Sequence, residues 1–417
     1  MNNNTRYDIS KRLIHFFREV DTYSKNSVIF PEYWGFDHLV EHNKFPPFFL
    51  LRSAIRHGRL FASWSIRNNN RTIYGKTPAI CFSEMPLAAF IQSSIRRKEK
   101  GQLISTYAIT FNKSDLFSIG ARPVIYGLST EPVNTSSNKR GDRLIDETQL
   151  PINEQYRYVT YHPIGNKKID WTHEREWRWP YRDSLESYYN QLDNYGMIDE
   201  VDNIPSLIFN QYEFKDIGVI VKTQKEAEII LSDILIGYDK FKYTPFSFIF
   251  YTSQISSLKQ ILTPKQEKKE IQKSIINLDP YIIPNNARDE QLYSKFREII
   301  QGIENKYEHI ENGEFGGCWL WLYDSLHDLT RALINKERIE INDTGKYLCF
   351  PFEFNDARSL AQRENMVKEL AEELKKEFKV DCGYFSVLNS DDINGLPFYC
   401  SQDFDNYESR LINSQYQ

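Results

Sequence analysis

Apolar residues fall along the chain in short runs separated by polar, glycine-marked and proline-marked breaks, and the spacing within each run predicts its element. Residues 12–18, Arg-Leu-Ile-His-Phe-Phe-Arg, have strand character. Residues 48–57 follow Pro46 and Pro47, place apolar side chains at 48, 51, 54 and 55, and stop at Gly58, which predicts a short helix. Segments 79–84, 106–111, 123–126, 172–180, 217–221 and 247–251 read as further strands, and 226–235 as a helix. The polar stretches 64–74 and 128–154 read as loops, the second long and mobile. A charge run at 264–270 and prolines at 280 and 284 predict a linker over 263–287. Beyond it, helical periodicity runs through Leu292, Phe296, Ile299, Ile300 and Ile303, over 319–334 and over 357–378. Strands are predicted at 339–341, 347–350 and 384–388. The expected fold class is α+β, with a mixed or antiparallel sheet domain over 1–262 and a smaller α+β domain over 288–417.

Composition narrows the class. Of 417 residues, 41% are hydrophobic and 26% charged, which is ordinary globular usage and argues against wholesale disorder. No apolar run approaches the ~18–20 residues of a membrane span, and the opening Met1-Asn2-Asn3-Asn4-Thr5 has no apolar signal region. A cytoplasmic protein with no membrane partner is expected. The five cysteines are scattered without a CxxC pair, so neither a disulfide framework nor a metal site is expected, and most read as small buried side chains. Net charge is uneven: residues 1–100 carry 16 Lys and Arg against 8 Asp and Glu, whereas 301–417 carry 12 against 22. A basic front suits an anionic ligand or a nucleic acid, the more so because its arginines alternate with Phe61, Trp64 and Tyr74.

The most informative stretch is Asp170-Trp-Thr-His-Glu-Arg-Glu-Trp-Arg178. On a strand, Glu174 and Glu176 share one face; on a helix they would lie ~200° apart. Two carboxylates beside Trp171 and Trp177 suit chemistry centred on a ribose cation. One offsets charge as a glycosidic bond loosens, and the other orients or deprotonates an acceptor. The competing reading is an exposed strand whose acids pair with Arg175 and Arg178. His15 and Arg18, on and after the first strand, can donate to an amide or a phosphate, although a core role for His15 is the ordinary alternative. Ser83 ends the strand over 79–84 with a free hydroxyl for a ligand, and Phe82 beside it suits a core.

In order along the chain, these pieces are His15-Phe16, a helix with Leu51, Ile55 and Gly58, then Cys81-Phe82-Ser83-Glu84-Met85-Pro86-Leu87. Gly120-Ala121-Arg122-Pro123-Val124-Ile125-Tyr126 and His173-Glu174-Arg175-Glu176-Trp177-Arg178 complete the set. The layout resembles AbiGi-type abortive phage infection proteins over about residues 10–180, and through them ADP-ribosyltransferases. The resemblance implies an ADP-ribosyltransferase-like first domain that uses NAD, within an antiphage effector. It also implies a phage-derived trigger or a neutralising partner protein, and nucleic acid or protein as the acceptor. By the same resemblance His15 holds the adenosine ribose or the nicotinamide end, Ser83 supports the nicotinamide pocket, and Tyr126 or Phe82 stacks on the ring. Glu176 is then the catalytic carboxylate and Glu174 orients the acceptor. Phe17 stands where a small hydroxyl residue often follows His-Phe, and the insertion over about 19–46 is unusually long. The alternative is a non-catalytic nucleic-acid-binding or sensor protein. The second domain resembles an uncharacterised C-terminal module, for which sensing, regulation or interaction is the natural role.

Overall fold

The computed structural model describes residues 8–21, 44–67, 70–102, 104–129, 133–164, 168–195, 201–214, 216–308, 313–355 and 357–395. Most of the long insertion, and Cys400, lie outside them. The chain divides into two compact units. One holds residues up to 231 together with 245–276, and the other holds 232–244 together with residues from 277 onward. The segment expected to be linker, 263–287, is divided between them.

Unit one is built on a seven-stranded mixed sheet. Its strands are β1 (Arg12–Phe16), β2 (Ala79–Ser83), β3 (Ala108–Asn112), β4 (Arg122–Pro123), β7 (Glu176–Pro180), β8 (Ile217–Val221) and β9 (Phe246–Tyr251). A separate hairpin supplies β5 (Thr135–Ser137) and β6 (Arg143–Ile145). The order across the sheet is β9-β8-β3-β1-β2-β7-β4. Only β8 and β9 run parallel; the other neighbours are antiparallel. The sheet is thus the mixed type expected.

Local chemistry explains the helices of this unit. Helix α1 (Pro47–His57) begins with proline in its first turn and ends on Gly58, whose φ of 62° lies in the left-handed region open to glycine. Helix α2 (Leu87–Glu99) follows Pro86 and buries Leu87, Phe90 and Ile91. With Ile14, Phe248 and Phe250 these form one core cluster, in which each large apolar side chain contributes ~1.5–3 kcal/mol. Helix α3 (Glu186–Tyr195) buries no residue. Helix α4 (Gln224–Phe241) crosses the division between the units. Helix α5 (Pro264–Gln272) is closed at its start by a Thr263–Gln266 capping box. Its Glu267 accepts the Leu87 N–H at the start of α2 (3.3 Å). Part of the expected linker is therefore a packed helix.

The stretch 128–154 is ordered where described, in contrast to the mobile loop expected. The β5–β6 hairpin occupies it, and the buried Gln155 amide accepts the Ile145 N–H and donates to the carbonyls of Ile145 and Leu150. Polar composition reads as loop, but here the polar groups are spent on internal hydrogen bonds.

Unit two is a four-stranded antiparallel sheet with helices. Helix α6 (Asn286–Lys306) precedes β10 (Gly316–Leu322), and α7 (Asp328–Asn335) precedes β11 (Ile339–Ile341) and β12 (Tyr347–Cys349). Helix α8 (Leu360–Phe378) and β13 (Cys382–Leu388) follow, and the order is β11-β12-β10-β13. Periodicity had extended a helix over 319–334. The first part is instead strand β10, and only Asp328–Asn335 is helical. The reason is burial on both faces. Cys318, Leu320 and Leu322 enter one core, while Trp319 and Trp321 enter another, so a continuous apolar run conceals its alternation. Gly316 and Gly317 accordingly open a strand. The Ser390–Asn394 segment is a turn in which Asp392 accepts the Asn394 N–H (2.9 Å) and the Ser390 hydroxyl accepts the Asp392 N–H (3.0 Å).

Candidate functional site

The central strands of unit one part at one place. Strands β1 and β2 share a single registered pair, Ile14 with Ser83. The registered pairing goes no further, and at the next antiparallel step the His15 imidazole meets the Cys81 carbonyl, with Nδ1 at 2.9 Å. The sheet opens there, and a cavity of about 420 Å³ occupies the gap, within the size class of small-molecule sites. His15, Arg18, Phe82, Ser83, Glu174 and Glu176 all line it. The tertiary structure thus brings together six of the seven residues singled out from sequence.

Tyr126 is the seventh, and it stands behind the wall. Its hydroxyl donates to the Trp171 carbonyl (3.3 Å) and accepts the Glu176 N–H (3.1 Å). It fixes the turn that leads into β7 and is not a stacking ring. Burial raises its pKa, so it remains a neutral phenol. Phe82 is a core side chain, 2% exposed, with its ring edge-on to His15 and Phe111. It supports the cavity without presenting a face for stacking.

The two glutamates reach the cavity by a different route from the one expected. Asp170 braces the entry to a short 3₁₀ turn, Thr172–Glu174, by accepting the Thr172 N–H (3.0 Å) and hydroxyl (2.6 Å). Arg175 then adopts a left-handed backbone with φ of 48°, uncommon for a residue with a side chain, and Glu176 begins β7. The pair is therefore not on one strand face. A turn folds Glu174 back beside Glu176, and Ser83 Oγ holds the turn by donating to the Glu174 carbonyl (2.7 Å). A sequence reading based on strand alternation had no access to this turn, because no glycine marks it.

Each carboxylate has a guanidinium partner. Arg97 of α2 donates to Glu174 Oε1 (2.5 Å), and Arg178 Nε donates to Glu176 Oε1 (2.7 Å). Arg178 is the site residue that sequence reasoning assigned to surface pairing, and it is buried. Its Nη1 donates to the carbonyls of Tyr156 (2.6 Å) and Tyr158 (3.2 Å). Burial opposes its charge, but Glu176 and Cys81 beside it raise its pKa overall. The Cys81 thiol is pushed up first by burial and then by Glu176, so it is no nucleophile.

His15 lies one residue from Ile14, so strand alternation sets it on the face opposite Glu176, against Phe17 and Phe82. It borders the cavity because the ladder is open at that point. Burial lowers its pKa to about 4, against a smaller upward pull from the Cys81 carbonyl. The ring is neutral near pH 7. The carbonyl partner assigns the proton to Nδ1 and leaves Nε2 as the acceptor.

Four arginines, Arg18, Arg97, Arg143 and Arg178, line the cavity against two glutamates. Arg143 was not singled out from sequence. It donates to the Arg71 carbonyl (2.9 Å) and the Tyr74 hydroxyl (2.5 Å), and among the described residues no carboxylate pairs with it. The charge of Arg143, which neither glutamate of the cavity takes up, favours an anionic ligand. Among the described residues no group of three or more His, Cys, Asp or Glu could hold a metal ion, and no helix is long and apolar enough to cross a membrane. Four described cysteines, Cys81, Cys318, Cys349 and Cys382, are free thiols.

Several cations of the basic front are spent on internal contacts and ion pairs. Arg52 is buried, Arg59 pairs with Asp202 (2.8 Å) and Arg71 pairs with Asp142. Trp64 and Tyr74 are each 5% exposed and offer little surface for stacking.

Comparison with known proteins bears on unit two. Residues 286–410 match the model of a family described as "Protein of unknown function (DUF4427)". No curated protein and no solved structure matches the chain.

Proposed function

We propose that unit one is an ADP-ribosyltransferase-like enzyme that uses NAD as a substrate, and that the chain is an effector of antiphage defence by abortive infection. Unit two then supplies sensing or interaction. The observation that carries this reading is the cavity at the split between β1 and β2, where Glu176 and Glu174 meet an excess of arginine beside His15. A dinucleotide diphosphate suits the arginines, Arg143 above all, since no acid among the described residues neutralises it.

The chemistry follows from the placement of charge. The bond between the ribose C1′ and the nicotinamide nitrogen breaks, and the electron pair leaves on that nitrogen, which becomes neutral. Glu176, held by Arg178, offsets the positive charge that grows on the ribose. An oxygen or nitrogen of the acceptor forms the new bond to C1′ and gives its proton to Glu174. The neutral His15 presents Nε2 as an acceptor for a ribose hydroxyl or an amide N–H.

Nicotinamide release from ring-labelled NAD by the full-length protein tests this reading, with and without phage extract. Glu176→Gln is expected to lower the rate by about 10²-fold or more at a temperature where the variant remains folded, its melting temperature falling as well because buried Arg178 loses its partner. Release undiminished in that variant overturns the assignment.

A further inference from the structure

We infer that the acceptor surface beside this cavity is built for single-stranded nucleic acid, gripped by the tip of the β5–β6 hairpin and the tyrosine face of α3. Its role as the acceptor site rests on the transferase reading; the binding itself does not. The cavity wall formed by Ser63, Ser65 and Thr72 flanks Trp64 and Arg71, the covered inner end of a row of packed side chains. The Arg71 guanidinium lies 3.9 Å over the Trp64 ring. Tyr188 and Tyr189 pack against the same indole, each with ring centroids 6.3 Å away. Arg140 closes the row, 3.8 Å over Tyr189. A row of packed aromatic rings, with a guanidinium over each end, therefore connects the edge of the cavity to the hairpin tip, where it reaches solvent.

The tip is exposed and ordered. Lys139 and Arg140 are open to solvent, and Asn138 fixes the turn by accepting the N–H groups of Arg140 and Asp142 through its side chain (both 3.0 Å). The acid of the tip, Asp142, is taken up by Arg71 and Asn138, so it does not cancel the exposed cations. On α3, Tyr195 stands seven residues after Tyr188 and lies ~20° from it around the helix, whereas Glu186 and Asp193 lie roughly 140–160° away. Tyr188 and Tyr195 are thus turned from the acids of their own helix, whereas Tyr189 shares a face with Asp193 and is covered by Arg140. Tyr195 is 69% exposed. Cations that track phosphates beside rings that stack on bases are the recognition chemistry of single strands, and the pattern favours no particular base.

Fluorescence anisotropy with labelled oligo-dT, oligo-U and a duplex of the same length, using the full-length protein without NAD, tests the inference. Both single strands are expected to bind more tightly than the duplex, and one binding much better than the other identifies the acceptor as DNA or RNA. With about three phosphates neutralised, affinity is expected to fall roughly tenfold or more between 50 and 200 mM salt. Lys139→Glu with Arg140→Glu is expected to weaken binding about tenfold or more, and Tyr195→Ala several-fold. Arg96→Glu with Lys100→Glu, on α2 and just beyond it, is expected to leave it within twofold. Absence of binding, equal affinity for duplex, or an equal loss from the α2 pair overturns the inference. Salt-dependent single-strand binding without any nicotinamide release sustains it and overturns the transferase reading instead.

Discussion

Arg178 and Glu176 lie two residues apart on one strand face, with Arg178 Nε donating to Glu176 Oε1 at 2.7 Å while Nη1 is anchored on two carbonyls of a neighbouring segment. The carboxylate is therefore held by a side chain that cannot itself move. Arg178→Met leaves Glu176 partly buried without its cation, and a loss of about 3 kcal/mol in urea unfolding is expected. Arg178→Lys keeps the charge but loses the fork. It is expected to recover most of that stability and little of the nicotinamide release. Equal recovery of both would show that Arg178 supplies charge only.

The Arg97–Glu174 pair differs, since both partners retain some solvent contact. Arg97→Ala is expected to cost about 1 kcal/mol or less in chemical unfolding. If Glu174 takes the acceptor proton, this variant changes labelling of the acceptor more than release of nicotinamide. A parallel change in both would place Arg97 in substrate binding.

His15 gives a pH dependence with a definite sign. Its folded pKa of about 4 lies below its ordinary value of 6.5, so below pH 6.5 the unfolded chain takes up a proton that the folded chain refuses. The stabilisation is complete above about pH 6.5 and declines as pH falls toward 4, by an amount on the order of 3 kcal/mol. His15→Gln is expected to remove that slope. A wild-type and variant difference that stays flat between pH 4 and 6.5 would contradict the burial assigned to the ring.

In unit two, Arg331 donates through Nη1 and Nη2 to both oxygens of Asp239 (2.7 and 2.9 Å), and the Tyr347 hydroxyl donates to the same carboxylate (2.7 Å). Asp239 is 2% and Arg331 8% exposed at the side chain. Asp239→Ala strands a buried guanidinium, and a loss of about 3–5 kcal/mol is expected. Denaturant titration checks it, and a loss under about 1 kcal/mol would show that the pair is open to water.

Gly218 of β8 marks a steric limit. A Cβ there would meet the Phe248 ring at 2.0 Å. Gly218→Ala is expected to displace that ring from the core and to cost about 1–3 kcal/mol by thermal melting. An unchanged melting temperature would mean that Phe248 has room to turn.

Most strands of the first sheet could be read from the chain because each has a local apolar signature between glycine or proline breaks, as at Ala79–Ser83 and Ile217–Val221. Helix α1 carried its proline start and glycine stop. Strand Gly316–Leu322 could not be read, since burial on both faces erases the alternation that separates strand from helix. The residue types of the site were visible in the Glu174–Arg178 stretch, but their roles were not. Arg178 and Arg175 look alike in a string, yet one is sealed in the core and the other turns the backbone.

Local preference is written residue by residue, so the amino-acid order alone specified where most strands and helices begin and which acids, histidine and serine had chemistry to offer. The opening between β1 and β2, the turn that sets Glu174 beside Glu176 and the pairing of Glu174 with a guanidinium depend on contacts between residues far apart in the chain, 91 positions apart for Ser83 and Glu174. Those contacts exist only once the chain has packed, because burial and hydrogen-bond geometry are properties of neighbours in space and not of neighbours in sequence.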